Sequence, residues 1–574
     1  MLASAGWGYV VVAFFAFAFG TALRLLGYFG DEMQLWLDEA SWAQMLVEGR
    51  AAWIRPAGYM WLTARLLDVV NNEQMLRSLS VIAGIAQLPL VLVALRLSLG
   101  SKWLALFGVY LLAINPVAVA MSKEFKPYAL EAAVHGALVI WALAYCRSDR
   151  RGHLIGLVVT AALSPLFAWS VVFAYPGVFA AVGLRALKQR RTGDAVIAGA
   201  GALCTLVVLA SIWAMRVSGK DEKTDYWGRK YDVFYVGDSA LEKLQWLTGK
   251  SADVLGFPAR LELGVAMPQW LVALHVAFVV LCIVGLIDLL RRRQWLTLGI
   301  WALPIVITVL FNLAGKWPYG VFRTNVYLLF YAIGLVCCGL AALAPLVART
   351  PLGRRAASAV AVVVVVSIFP FDLSHFRTKE ESALALSSSV RTALEKVYAA
   401  EIGRPGGRRA RLLLDGHACG IYTYYLRSHV ETRERFSKLF DERFVVGCST
   451  VLGSKWRDAL KQAPPFSSKV KILKAKTTGP KAAPADLVDD DPADDDPADD
   501  DVDGDEPVFE VFVNRAVQQA SGIQRGPFVF DWLITAKPSF IEITREELPA
   551  TCSDSTEELL PASTLLVHCT RPIP

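Results

Sequence analysis

Apolar residues run along this chain in long stretches separated by short polar turns, and the pattern changes near residue 372. A membrane span needs about 20 mostly apolar residues. Runs of that kind lie at 7–28, 76–98, 103–121, 124–146, 153–170, 171–187, 195–216, 268–290, 294–312, 321–346 and 356–371. They predict about eleven transmembrane helices. Pro165 and Pro176 interrupt the fifth and sixth, which otherwise form one nearly continuous apolar run. After residue 372 the periodicity shortens. "TKEESALALSSSVRTALEKVYAAE" (378–401) has helical spacing. "RLLLD" (411–415), "RFVVG" (443–447), "FEVFV" (509–513), "FIEIT" (540–544) and "TLLVHC" (564–569) read as strands. The expected fold class is a polytopic α-helical membrane protein, residues 1–375, followed by a soluble α/β domain, residues 376–574. An acidic insert (484–507) carries the repeat "DDDPADDDPADDD", whose charge repulsion and prolines predict disorder. "DVDGDE" (501–506) resembles part of a calcium loop but has no terminal Glu at EF-hand spacing.

Charge gives the runs a direction. The chain carries 58 Lys+Arg against 52 Asp+Glu. Without residues 486–506, which hold twelve Asp and one Glu, the balance rises from +6 to +19. Many positives fall in alternate short loops: Arg96 and Lys102; Arg147, Arg150 and Arg151; Arg185, Lys188, Arg190 and Arg191; Arg291 to Arg293; Arg349, Arg354 and Arg355. The positive-inside rule assigns that side to the cytoplasm and accounts for the basic excess better than nucleic-acid binding does. Segments 29–75, 217–267 and everything after 372 then face outside. The N-terminus has no basic n-region or small-residue cleavage site, so the first run reads as a retained anchor. Four of nine cysteines, Cys419, Cys448, Cys552 and Cys569, fall in the external domain. Their even number in an oxidising compartment suggests two disulfides, with Cys419–Cys448 and Cys552–Cys569 the preferred of three connectivities.

The external side also collects the chemistry. "GDEMQLWLDEASW" (30–42) contains two acidic pairs, Asp31-Glu32 and Asp38-Glu39. "IRPAGYMWLTARLLDVV" (54–70) suits an amphipathic helix in the interface, with Arg55 at its start. "MSKEFKPYALE" (121–131) offers Lys123, Glu124, Lys126, Tyr128 and Glu131, and "GKWPYGVFRTN" (315–325) offers Arg323 just inside a span. Each has a plain alternative: an aromatic belt, a snorkelling arginine, a solvated or helix-capping carboxylate. A charge within a span costs about 2.5–3.5 kcal/mol on insertion scales and by default marks function. A carboxylate able to take a proton, with cations able to hold an anionic leaving group, suits a hydroxyl attacking a carbon linked to a lipid phosphate.

With these motifs in this order and on one side, residues 7–375 resemble the GT-C superfamily of integral-membrane glycosyltransferases. The likeness is to the bacterial branch of protein O-mannosyltransferases, aminoarabinose transferases and RgtA/B/C/D-like enzymes. It implies an inverting transfer from a polyprenyl-phosphate sugar to a hydroxyl of a glycan, lipid or protein, at the outer face of the inner membrane. It assigns the base to Asp38, with Glu39 supporting it, the donor phosphate to Lys126 and Arg323, and part of the site to Tyr128. Pro56-Ala57 stands where family members commonly have a Pro-Pro pair, so Arg55 receives no defined role, and the roles of Glu124 and Glu131 stay open. No cofactor is required and no zinc-spaced ligand cluster occurs, while a divalent cation at the external acids stays open. No Gly-rich nucleotide loop lies on the cytoplasmic side, which argues against a nucleotide-sugar donor. The rival readings are a lipid-linked sugar flippase or transporter and a surface-glycan polymerase or ligase.

Overall fold

The computed structural model describes residues 4–26, 28, 56–70, 73–217, most of 228–259, and 269–347. It also describes single residues within 39–46 and 393–399, and strands at 412–414, 532–535, 552–560 and 564–572. The chain forms two compact units, one of Met1–Phe29, Ala51–Val70 and Gln74–Thr378, the other of Gly30–Arg50, Asn71–Glu73 and Lys379–Pro574.

The first unit is helical. Its helices are α1 (Ser4–Leu25), α2 (Ala57–Leu67), α3 (Glu73–Leu99), α4 (Lys102–Ile114), α5 (Pro116–Lys123), α6 (Tyr128–Ser148) and α7 (Arg151–Leu163). These are followed by α8 (Tyr175–Lys188), α9 (Thr192–Val217), α10 (Ala240–Leu255), α11 (Gln269–Arg291), α12 (Trp295–Leu313) and α13 (Tyr327–Val347). Among the described residues six helices are long and apolar enough to cross a membrane, and seven if the bent pair α4–α5 counts as one span. Exposed Phe14 and Phe15 on α1 and Val276, Val280 and Ile283 on α11 form surfaces suited to lipid. This is the architecture of a multi-pass membrane protein. The eleventh expected span, 356–371, lies outside the described residues.

Two expected spans take a different form. The run 153–170 is α-helical only to Leu163, and 3-10 turns follow at Ser164–Leu166 and Ser170–Phe173 before α8 begins at Tyr175. At 1.5 Å per residue, the 13 residues of α7 and the 14 of α8 reach about 20 Å each, less than a hydrocarbon core of about 30 Å. The break at α4–α5 has a local cause. Pro116 has no N–H to continue the ladder, and Asn115 caps the new helix by accepting from the Ala118 N–H at 3.0 Å, so the axis bends by 58°.

Packing uses small residues where helices meet. A Cβ on Gly339 of α13 would run into the Leu281 carbonyl of α11, so these two long helices lie backbone to backbone. Side-chain bonds also bring the basic loops together. Arg147 donates to the carbonyls of Arg96 (3.1 Å) and Leu97 (3.3 Å), Arg185 pairs with Asp149 at 2.8 Å, and Arg151 pairs with Asp194 at 2.9 Å. The Trp301 indole donates to Ser98 at 3.0 Å and brings the first turns of α12 near the same end. The loops after α3, α6, α8 and before α12 thus share one end of the bundle, as the charge pattern requires.

In the second unit the described residues form a four-stranded sheet of order β1-β2-β4-β3, with β1 (Leu412–Leu414), β2 (Trp532–Thr535), β3 (Cys552–Leu560) and β4 (Thr564–Pro572). β1 and β2 are parallel, and the other pairs are antiparallel. β1 and β4 coincide with two expected strands. The strands expected at 443–447, 509–513 and 540–544, the acidic insert, Cys419 and Cys448 lie outside the described residues. The helix expected over 378–401 is described only at Ala393, Lys396, Val397 and Ala399. The register argues against the Cys552–Cys569 pairing: Cys569 lies opposite Ser555 and Cys552 opposite Pro572. Three rows at about 3.4 Å each separate their backbones by about 10 Å, beyond the reach of a disulfide. Cys146, Cys204, Cys282, Cys337 and Cys338 of the first unit are free thiols.

Candidate functional site

The turn that carries Lys126 is built from three sides. Pro127 starts α6, and the Glu131 N–H closes onto the Pro127 carbonyl at 2.8 Å. From α3, Ser80 donates to the Lys126 carbonyl at 2.7 Å, and two turns further Gln87 donates to the Ala129 carbonyl at 2.7 Å. From α2, the Tyr59 hydroxyl meets Ser80 at 3.1 Å while its ring stacks on Phe125 at 5.8 Å and 24°. Phe125 and Lys126 are both buried, and Tyr128 and Glu124 are half-buried. The apolar face of α2 that makes this contact consists of Tyr59, Met60 and Thr63, with Trp61 exposed opposite. That is the amphipathic division expected of 54–70.

The turn that carries Arg323 is equally constrained. Asn325 is buried, accepts from the Trp317 indole at 2.9 Å, and donates to the Pro318 and Gly320 carbonyls at 3.0 and 3.1 Å. Asn312 at the end of α12 donates to the Trp317 and Val233 carbonyls at 2.9 and 2.8 Å. Tyr319 is buried and donates to Ser251 of α10 at 3.2 Å; burial pushes its hydroxyl up to about 12. These bonds seat the segments 231–234 and 240–255 on the Arg323 turn, which leaves Arg323 half-buried at the head of α13.

The two turns lie at the same end of the unit. His135 of α6 stacks on Tyr327 of α13 at 4.5 Å and 20°, and its Nδ1 meets the Tyr331 hydroxyl at 2.8 Å. α13 therefore begins beside α6 about two turns, roughly 10 Å, beyond the head of α6, and both helices run away from the turns that precede them. The Arg323–Asn325 turn itself packs against α6. Lys126 and Arg323 thus stand at the heads of adjacent helices, at the end opposite Arg147 and Asp149.

Other predicted residues fall elsewhere. Asp38 and Arg55 lie outside the described residues. Glu39 is helical and buried, as is Trp42, and both belong to the second unit. Among the described residues no group of three His, Cys, Asp or Glu side chains is arranged to hold a metal ion.

Two features escaped the sequence reading. Arg24 of α1 is fully buried and donates to the carbonyls of Gly20 (2.9 Å), Ala113 (3.2 Å) and Leu112 (3.1 Å). It satisfies the end of α4 at the break before Pro116, where helical partners are missing. A charge in the last turn of an apolar run was the available signal. The second feature is the linkage of Glu131, whose role the sequence leaves open, to His135. Glu131 and His135 are buried and joined through Ser170.

No established protein family matches the sequence, and no curated protein matches it. Among solved structures the chain is similar to the archaeal oligosaccharyltransferase AglB from Archaeoglobus fulgidus, in complex with an inhibitory peptide and a dolichol-phosphate. The identity is 12%, 80% of this chain and 68% of that one are covered, and the TM-score is 0.43. It is also similar to ArnT from Cupriavidus metallidurans bound to undecaprenyl phosphate, at 13% identity, with 76% and 77% covered and a TM-score of 0.39. The apo state of that protein gives 14% identity with the same coverage and TM-score.

Proposed function

We propose that this protein is a GT-C-type inverting glycosyltransferase that moves a sugar from a polyprenyl-phosphate donor to a hydroxyl of a glycan, lipid or protein on the extracytoplasmic face. The observation that carries the reading is that the Lys126 and Arg323 turns precede adjacent helices, α6 and α13, at the end of the unit opposite the basic loops. A lipid-borne phosphate entering from the membrane would meet cations there. Phosphate is the group that leaves when the glycosidic bond breaks.

The reaction follows from these roles. Asp38 takes the proton of the acceptor hydroxyl as its oxygen attacks the anomeric carbon. The bond from that carbon to the phosphate oxygen breaks, and the electron pair stays on the phosphate. Lys126 and Arg323 stabilise the charge that develops. Attack opposite the leaving group inverts the anomeric centre. Glu39 orients or supports the base, and Tyr128 shapes the sugar site. Arg55 and Glu124 stand as further candidates for substrate contact.

One observation favours the flippase reading, because buried Glu131 and His135 are ionisable groups inside α6. At 1.5 Å per residue, however, the carboxylate-bearing Glu131 lies only about 5 Å from the head of α6, closer to the surface than to the midplane expected of a transporter. Purified protein offered polyprenyl-phosphate sugars and candidate acceptors separates the readings. The transferase breaks the phosphate–sugar bond, whereas a flippase moves the lipid with that bond intact. Undecaprenyl phosphate, present in one of the similar structures, is a suitable binding probe.

A further inference from the structure

The segment from Ser164 to Ala174 joins α7 to α8 through two 3-10 turns. An interruption at membrane depth needs partners inside the protein for its backbone groups. Glu131 supplies one set. Its Oε1 faces the Trp169 N–H at 3.4 Å, and its Oε2 accepts from the Ser170 hydroxyl at 2.6 Å. With Glu131 ionised, the single hydroxyl proton of Ser170 goes to the carboxylate, so His135 Nε2, 3.2 Å away, donates to the Ser170 oxygen. That makes His135 the Nε2–H tautomer, and its Nδ1 accepts from the Tyr331 hydroxyl. Proton direction therefore runs one way, from Tyr331 through His135 and Ser170 to Glu131, among four buried residues.

The elbow reaches each neighbouring motif. Phe173 stacks on Tyr327 at 5.7 Å and 12°, and meets Trp317 at 5.2 Å and 65°. Trp317 holds Asn325, two residues beyond Arg323. On the other side, Leu166 and Phe167 press on Gly58 in α2, next to Tyr59, the ring that stacks on Phe125. The elbow thus links α2, α6 and the Arg323 turn.

We infer that Glu131 is a positioning residue for the transfer: through Ser170 and His135 it fixes the elbow 164–174, and the elbow in turn holds Arg323 in place relative to the Lys126 turn. The inference rests on the transferase reading above. An amide at position 131 offers one acceptor and one donor where the carboxylate offers two acceptors. It must therefore either face the Trp169 N–H with a donor or reverse the Ser170–His135 hydrogen bond.

The test uses the full chain with Glu131→Gln, Ser170→Ala and Ser170→Thr, each checked by thermal unfolding. Folded Glu131→Gln and Ser170→Ala are expected to weaken undecaprenyl phosphate binding and raise donor KM about tenfold, the size of effect a residue remote from the ligand can exert. The kcat at saturating donor should stay near wild type, and Ser170→Thr should recover most of the loss. The His135 15N spectrum should show Nε2–H in wild type and a changed tautomer in Glu131→Gln. Unchanged binding and KM in folded Glu131→Gln and Ser170→Ala overturn the proposal, as does Ser170→Thr behaving like Ser170→Ala. A wild type inert toward every lipid donor overturns the transferase reading and this role with it. The His135 tautomer would still report whether the relay exists.

Discussion

The Ser80 hydroxyl donates to the Lys126 carbonyl at 2.7 Å and meets the Tyr59 hydroxyl at 3.1 Å. One side chain on α3 therefore ties α2 to the turn that presents Lys126. Ser80→Ala leaves a buried carbonyl and a buried phenol short of a partner, at a cost of about 1–3 kcal/mol. We expect a lower unfolding midpoint and a larger proportional loss of undecaprenyl phosphate binding than other buried Ser→Ala changes produce. Ser78→Ala is the comparison, because Ser78 donates only to Met75 within its own helix.

Arg24 makes a different prediction. Its guanidinium serves two carbonyls at the end of α4 and one on α1. Arg24→Met fills similar volume and removes every side-chain donor, leaving the Leu112 and Ala113 carbonyls at the end of α4 without it in a buried site, at about 1–3 kcal/mol each. We expect loss of folded protein. Arg24→Lys should rescue only partly, since an ammonium cannot reproduce a planar fork of donors. Recovery of monodisperse protein and its unfolding midpoint measure both.

Gly84 in α3 faces Ser122, and a Cβ there would collide with the Ser122 side chain close to Arg24. Gly84→Ala should destabilise by about 1–3 kcal/mol through overpacking. Gly152→Ala in α7, where a Cβ meets nothing within 4 Å, should be neutral or stabilising by up to about 1 kcal/mol. Equal effects on the unfolding midpoint would contradict the close approach.

The Asp149–Arg185 pair gives a pH dependence. The Arg185 hydrogen bond holds the Asp149 carboxyl below its ordinary range. A group depressed on folding stabilises fully above its unfolded value, about 3.9, and loses that contribution as pH falls through the lower folded value. Arg185→Met should return Asp149 toward the ordinary range and flatten the acid limb of the stability curve between pH 5 and the folded value. A curve of unchanged shape would contradict the pairing.

How much of this was visible in the sequence differs from residue to residue. Lys126 and Arg323 stood out because each charge interrupts or opens an apolar run, and loop charges alone fixed their common side. Arg24 did not stand out, since a basic residue near the end of a run reads as snorkelling until its carbonyl partners are seen. The elbow at 164–174 was hidden because apolar composition does not distinguish a 3-10 turn from a helix. Pro165 and Pro176 marked a break without giving its shape. β3 was missed for the opposite reason: "CSDSTEELL" is a polar strand, outermost among the described ones, whose pairing is set by β4, not by apolar alternation. What a residue bonds to across 35 or 196 positions, as His135 does with Ser170 and Tyr331, is not written in local pattern.

The central claim is that the chain transfers sugar from a polyprenyl phosphate with Asp38 as base. The most direct measurement offers polyprenyl-phosphate sugars and acceptors to purified wild type and to folded Asp38→Asn. The account predicts transfer by wild type and loss of about 10²-fold or more in the variant, the scale of general-base catalysis. Full transfer by Asp38→Asn would contradict it.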